Sequence, residues 1–387
     1  MSDGLQPTWS AHEQVSIDAA AAFVDAHVRP HAAKWAQGVG GSHDVLKAAS
    51  DAGLLGLQVA VPLGGKGLSF SCKSHIAGML AGADFGLAMS LINTHNIAQD
   101  LSVHGAPDLA MRYVPDLLAG RRTGCTALTE PGVGSDFSAI TTRAQRVGDA
   151  WQIDGDKAWI INATHADVIV LYAQTEPGGG AQGIAAFVID GQRDGFVRGL
   201  RSDTTATRGL NSGGFTLQGY QAHADELLYP PGQAFKAAMN SINGARTYVA
   251  SMCCAMVAEC LRVANVYGDE RHSFGQPLHS HQGWRWALAD AAVDLAAARQ
   301  LVALACDSLN RNVDAQTSAA HAKVFATRMA GRHIAALMHA MGAEGLREEY
   351  PFMRHLAGAQ VASLTDGSTE MLLERIAKDL RRSGVTP

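Results

Sequence analysis

The residues best suited to chemistry lie in Leu128-Thr129-Glu130-Pro131-Gly132-Val133-Gly134-Ser135-Asp136, a polar, turn-rich stretch between two apolar segments. Pro131 fixes one backbone angle and the two glycines accept conformations closed to other residues, so the stretch must turn. Such a loop presents Thr129, Ser135 and several backbone N–H groups together, which suits a planar, hydrogen-bonding ligand with anionic parts. A surface loop joining two domains has the same composition, and the residues alone leave both readings open. Simpler catalytic signatures are absent. There is no HExxH or GxSxG, and Gly132-Val133-Gly134 lacks the third glycine of a dinucleotide loop. Pro62-Leu63-Gly64-Gly65-Lys66-Gly67 fails as a phosphate loop, because residue 60 is Ala and Lys66 is followed by Gly. The sixteen histidines are scattered, and His333 and His339 share a helix face poorly, so no metal site is expected.

The elements that must position this loop follow from periodicity. From Ser10 to about Arg122, apolar residues recur at helical spacing, broken at Gly38-Val39-Gly40-Gly41 and at Pro62 to Gly67. Near Gly124 the pattern changes. Trp151 to Ile161 reads as a hairpin around Asp154-Gly155, followed by short apolar strands at Val168–Ala173, Ile184–Ile189 and Phe215–Ala222. Pro177-Gly178-Gly179-Gly180 is a loop between two of these strands. From Ala234 the chain returns to helix, at approximately Asn240–Tyr267, Ser280–Leu309, Ala315–Met341 and Thr369–Ser383. The expected class is α+β: an N-terminal α-helical domain (1–122), a central β-barrel or sandwich domain (123–230) and a C-terminal four-helix bundle (231–387).

The chain has 387 residues, 47% hydrophobic and 17% charged, which is enough to bury a large core in two or three domains. A net charge of −5 without a basic cluster argues against nucleic acid as a partner. The six cysteines form no CxxC pair and read as reduced core residues. Met1 to Trp9 does not read as a signal peptide, and no apolar run of membrane-spanning length is free of strongly polar residues. A soluble, cytoplasmic protein is expected.

Several separated stretches resemble the acyl-CoA dehydrogenase family of flavoproteins, in the family's order and over nearly the whole chain. The opening loop resembles its Thr-Glu-Pro-x-x-Gly-Ser-Asp signature. Ser50-Asp51-Ala52-Gly53-Leu54-Leu55-Gly56, with the turn at Pro62, resembles its N-terminal helix and glycine turn. Lys157-Ala158-Trp159-Ile160-Ile161-Asn162 resembles Lys-x-Trp-Ile-(Thr/Ser)-Asn, and Glu270 to Leu278 resembles Glu-Arg-x-x-Phe-Gly-x-x-Leu. Glu349-Tyr350-Pro351 and Thr365-Asp366-Gly367-Ser368-Thr369-Glu370 fall where the family has its Tyr-Pro and Glu-Gly-Thr-Ser stretches.

That resemblance implies FAD between the β domain and the C-terminal bundle. By position, Leu128, Thr129, Ser135, Trp159 and Ile161 would contact the flavin, and Ser135 would also reach substrate. Arg271 would pair with the pyrophosphate of FAD in a neighbouring subunit, with Ser273 and Phe274 beside it, since a guanidinium fork matches phosphate. His339, Ala343, Ser368 and Glu370 fall at further cofactor positions, and Asn243, Arg246 and Gly367 at substrate positions. The implied reaction is α,β-dehydrogenation of an acyl thioester, with CoA or a carrier protein as the acyl carrier. An electron-transfer flavoprotein or another acceptor would take the electrons, and the active unit would be a homotetramer or homodimer.

The family's base is a glutamate, and Asp366 occupies that position here. The alternative base position, before Arg246, holds Ala245. Asp366 is therefore the matched catalytic carboxylate, shorter than glutamate by one methylene. Other departures are Ile161 for a hydroxyl residue, His339 for a glutamine, Ala343 for a glycine and Ala357-Gly358 for an Arg-Asp pair. Two alternatives keep the fold: a flavin oxidase or dehydrogenase acting on a carrier-bound or non-thioester substrate, and an inactive partner subunit.

Overall fold

The structure is a computed structural model that describes residues 8–204 and 207–382. The polar start Met1–Pro7 and the expected helix end at Ser383 lie outside the described residues. The N-terminal region is built from α1 (Ala11–Phe23), α2 (Ala32–Ala36), α3 (Leu46–Asp51), α4 (Phe70–Ala83), α5 (Phe85–His104) and α6 (Pro107–Leu118). Ser10 and Glu13 form a capping box on α1. The same Glu13 carboxylate accepts a hydrogen bond from Ser69, the cap of α4, so one acid joins two helix starts.

The middle region carries β1 (Gly124–Ala127), β2 (Arg143–Val147), β3 (Ala150–Ile160), β4 (Val168–Gln174), β5 (Ile184–Asp190), β6 (Phe196–Arg201), β7 (Gly213–Ala222) and β8 (Leu227–Tyr229). They form one mixed sheet in the order β6-β7-β3-β2-β4-β5-β8, with β1 parallel to β4. Every residue of β4 is buried, because alternate side chains enter two cores. Val168, Val170 and Tyr172 pack with Ile97, Leu101 and Tyr113 of α5 and α6. Ile169, Leu171 and Ala173 pack with Phe187, Phe215 and Leu217 inside the β domain.

One expectation is corrected. Asp154-Gly155 is not a hairpin turn, because β3 runs straight through it. The reversal comes earlier, between Val147 and Ala150, with Gly148 at φ 62°. A Cβ at Gly155 would lie 2.7 Å from the Thr142 Cα, so this glycine permits a close backbone approach and a bulge.

The C-terminal region contains α7 (Ala234–Glu270), a short hairpin of β9 (His272–Ser273) and β10 (Gln276–Pro277), α8 (Gln282–Asn310), α9 (Gln316–Ala340), α10 (Phe352–Leu364) and α11 (Thr369–Arg382). Helix α10 adds to the four helices expected from periodicity. It is short and Ala/Gly-containing, and Gly358 sits close against Phe85 and Met256. By length and composition alone α7 could cross a membrane, yet half of its apolar stretch is buried inside the protein. Small residues let α4 approach it closely: Gly78 and Gly82 face Ser251 and Ala255. All six cysteines are buried and unpaired.

Candidate active site

The turn-rich loop is anchored by a buried ion pair. Glu130 accepts from the backbone N–H and hydroxyl of Thr141, both at 2.7 Å, and from those of Thr142 at 2.9 and 2.6 Å. Lys157 Nζ completes the set at 2.9 Å and also donates to the Leu128 carbonyl at 3.0 Å. Burial opposes the charge on Glu130, but Lys157 and the threonine donors outweigh it and hold the carboxyl at about 2. The Ala158 N–H donates to the Thr129 carbonyl at 3.0 Å, so the loop is stitched to β3 along both residues. Sequence reasoning passed over this pair. The available signal was Lys157 at an inward position of β3, between the buried Ile153 and Ile160.

Beyond Lys157 the register of β3 slips, and Trp159 adopts φ 60° with 64% of its surface exposed. A left-handed backbone is costly for a bulky residue, and a bulge re-aims its side chain. The indole is thus turned outward, one residue beyond the Ala158 N–H that bonds the Thr129 carbonyl. Ile161 packs against the helical core instead of presenting a polar group. Asn162 at φ 67° is fully buried; it accepts from the Ser90 hydroxyl at 2.5 Å and donates to the carbonyls of Ser90 (3.0 Å) and Gly124 (3.1 Å). This ties α5, β1 and the end of β3 together. Ser135 lies exposed on the loop, between open glycines 132 and 134 and Asp136. An outward-facing indole in strained backbone, a partly buried Leu128 and Thr129, and an open glycine loop fit a flavin ring.

A second cluster forms where α10 gives way to α11. Asp366 (φ 54°) and Gly367 (φ 94°) are both left-handed, which aspartate tolerates and glycine favours. Arg246 Nε on α7 donates to the Asp366 carbonyl at 2.9 Å, while its Nη1 donates to Asn243 Oδ1 at 2.9 Å. Lys323 on α9, 1% exposed, donates to the carbonyls of Thr365 and Gly367. Among the described residues, the Asp366 carboxylate itself has only the Thr365 hydroxyl, at 3.4 Å. Burial pushes this carboxyl above its ordinary value, and Lys323 and Arg246 pull it back only in part. Ser368 and Glu370 follow at the start of α11, where the Ser368 hydroxyl accepts from the Met371 N–H at 3.4 Å.

The remaining expected cofactor residues lie elsewhere. Arg271 follows the last residue of α7, 25 positions after Arg246 and so about 38 Å along the helix axis. Its exposed guanidinium makes no ion pair among the described residues. Phe274 and Gly275 form the two-residue tip of the β9–β10 hairpin with φ 52° and 80°, and Phe274 is 96% exposed. Trp284 Nε1 donates to the Ala340 carbonyl at 2.9 Å and its ring lies against Gly268. Exposed His339 and Ala343 therefore share this end of the bundle with Arg271 and Phe274. The expected cofactor residues thus fall in three places, the turn-rich loop with β3, the start of α11 and the hairpin end of α7, and the last is too far along α7 from Arg246 to share one compact site with it.

Three family models cover the chain in sequence: acyl-CoA dehydrogenase N-terminal domain at residues 10–121, middle domain at 125–220 and C-terminal domain at 232–381. The chain is similar to the mitochondrial short-chain specific acyl-CoA dehydrogenase of Homo sapiens, 31% identical over 333 residues, covering 86% of this chain and 81% of the relative. Its fold is similar to the solved butyryl-CoA dehydrogenase of Megasphaera elsdenii, with TM-score 0.92, 26% identity, and coverage of 98% of this chain and 100% of that one. The prolyl acyl carrier protein oxidase AnaB shares the fold at TM-score 0.91 and 20% identity, over 96% of this chain and 100% of that one.

Proposed function

The chain belongs to the acyl-CoA dehydrogenase family of FAD-dependent oxidoreductases, and on that premise we propose that it dehydrogenates an acyl thioester at the α,β bond, with Asp366 removing the α-proton. One observation supports Asp366 above all. Its neighbours Arg246 and Lys323 direct N–H groups at main-chain carbonyls, so the loop is fixed while the carboxylate stays available. Burial raises its proton affinity, which strengthens it as a base. Bound FAD supplies the acceptor for the β-hydrogen as hydride. Leu128, Thr129, Ser135 and Trp159 would hold the ring, and Asn243 orients the Arg246 guanidinium. The Arg271–Phe274 hairpin would serve the cofactor of a neighbouring copy, which calls for a homo-oligomer.

A second reading keeps the fold and FAD but uses a carrier-bound substrate or oxygen as acceptor. Ile161 favours it, because an apolar side chain stands where the family places a hydroxyl and the flavin environment is altered accordingly. Anaerobic titration of the yellow protein with acyl-CoA thioesters of graded chain length tests the first reading. Bleaching of the flavin absorbance by at least one chain class is expected. Failure of every thioester, from protein that retains its colour, overturns it.

A further inference from the structure

The core between α4, α5 and α7 contains a cation without a counter-ion. Lys73 is the only charged residue of α4, and it is 5% exposed. Its Nζ donates to Asn96 Oδ1 of α5 at 2.7 Å and makes no ion pair among the described residues. The ammonium lies 5.5 Å from the Phe70 ring centre and 5.4 Å from that of Tyr248 on α7. Asn96 Nδ2 donates in turn to the Tyr248 hydroxyl at 3.2 Å. Fully buried His95 adjoins the group, its proton affinity pushed well down by burial and by Lys73. Burying a charge without an opposite charge is among the costlier arrangements a fold can hold, and an apolar side chain would pack here without that penalty.

The position connects this group to Asp366. Tyr248 follows Arg246 by two residues on α7, about 3 Å of rise. Burial, and after it the Asp366 charge, raises the proton affinity of the Tyr248 phenol. Lys73, Asn96 and Tyr248 thus form a polar cluster inside the core, joined to the Asp366 loop through α7, whose Arg246 holds the Asp366 carbonyl. Two of the three ammonium N–H donors have no hydrogen-bond acceptor among the described side chains.

We propose that Lys73, oriented by Asn96 and Tyr248, is a receptor for a carboxylate at the far end of a short acyl chain, so that the substrate is an ω-carboxyacyl thioester. The assignment rests on the dehydrogenation reading above, because it names the distal part of the same substrate. Burial alone lowers the ammonium to about 7, and an incoming carboxylate would restore its charge.

The test uses the full-length, FAD-loaded protein and two thioesters of equal chain length, glutaryl-CoA ending in carboxylate and valeryl-CoA ending in methyl. Calorimetric binding and anaerobic flavin reduction are measured with each. Wild type is expected to bind the carboxylate form about 10- to 100-fold more tightly, the range of a charge-assisted hydrogen bond. Lys73→Met should erase that preference and melt at an equal or higher temperature, because it removes an uncompensated charge. Should Lys73→Met not fold, Asn96→Ala removes only the orienting amide and should narrow the preference. Tighter binding of valeryl-CoA by wild type, binding of neither thioester, or a carboxylate preference that survives in Lys73→Met and Asn96→Ala would overturn the assignment. A carboxylate preference in binding without flavin reduction would sink the dehydrogenation reading and leave the receptor standing.

Discussion

Glu130 and Asp366 each sit near a lysine and a turn, and their surroundings differ in what the donors touch. Glu130 accepts from the amides and hydroxyls of Thr141 and Thr142 and from Lys157, so both of its oxygens are engaged. Around Asp366 the donors of Arg246 and Lys323 reach the carbonyls of residues 365 to 367, and the carboxylate keeps one long contact with Thr365. The first arrangement uses a side-chain charge to hold a loop. The second holds the loop by its backbone and leaves the side-chain oxygens without a close donor. The pKa directions follow, with Glu130 driven down and Asp366 driven up. Of two acids inside family signatures, the one with unspent oxygens is the candidate base.

Asp366→Asn tests this contrast with the largest effect. The substitution keeps shape and removes the base, so flavin reduction by substrate should fall about 100- to 10,000-fold. FAD should remain bound and the melting temperature should hold or rise, because an acid whose proton affinity is raised by folding costs stability when ionised. Stopped-flow reduction and thermal melting measure the two quantities. A rate within a few-fold of wild type would remove Asp366 from the mechanism.

The next effect falls on stability. Lys157→Met leaves the Glu130 carboxylate buried beside its threonines with no cation, and breaking such a pair costs about 3–5 kcal/mol. Pairing Lys157→Met with Glu130→Gln should recover part of that loss, since no uncompensated charge remains. Denaturant unfolding of both variants decides it. A single variant as stable as wild type would mean the pair does not anchor the loop.

How much of this was readable in the sequence depended on distance along the chain. The helix–sheet–helix order followed from a change of apolar spacing near Gly124, a local signal. The Asp154-Gly155 pair misled because a glycine that clears Thr142 looks the same in sequence as one that turns a hairpin. Asp366, Arg246 and Asn243 emerged from motif resemblance, since 120 residues separate Arg246 from Asp366 and no local rule joins them. Lys323, Asn162 and the Glu130–Lys157 pair were hidden for the same reason: their partners are remote, and burial becomes visible only after the chain has folded. Lys73 was visible as a lone charge in an apolar helix, but its lack of a counter-ion was not.

An acid titration sharpens the comparison at the smallest scale. Glu130 titrates near 2 when folded, against an ordinary 4.5, so the stability it contributes is complete above about 4.5 and is lost as pH falls toward 2. Asp366 runs the other way. Its ordinary value is 3.8 and burial raises it, so the ionised form needed to take a proton appears only at higher pH. On acidification of the holoenzyme, substrate-driven flavin reduction should therefore decline while circular dichroism still reports an intact fold, and unfolding should follow at lower pH. Coincident curves would mean that the Asp366 carboxyl is not elevated, and the division of labour between the two acids would lose its electrostatic basis.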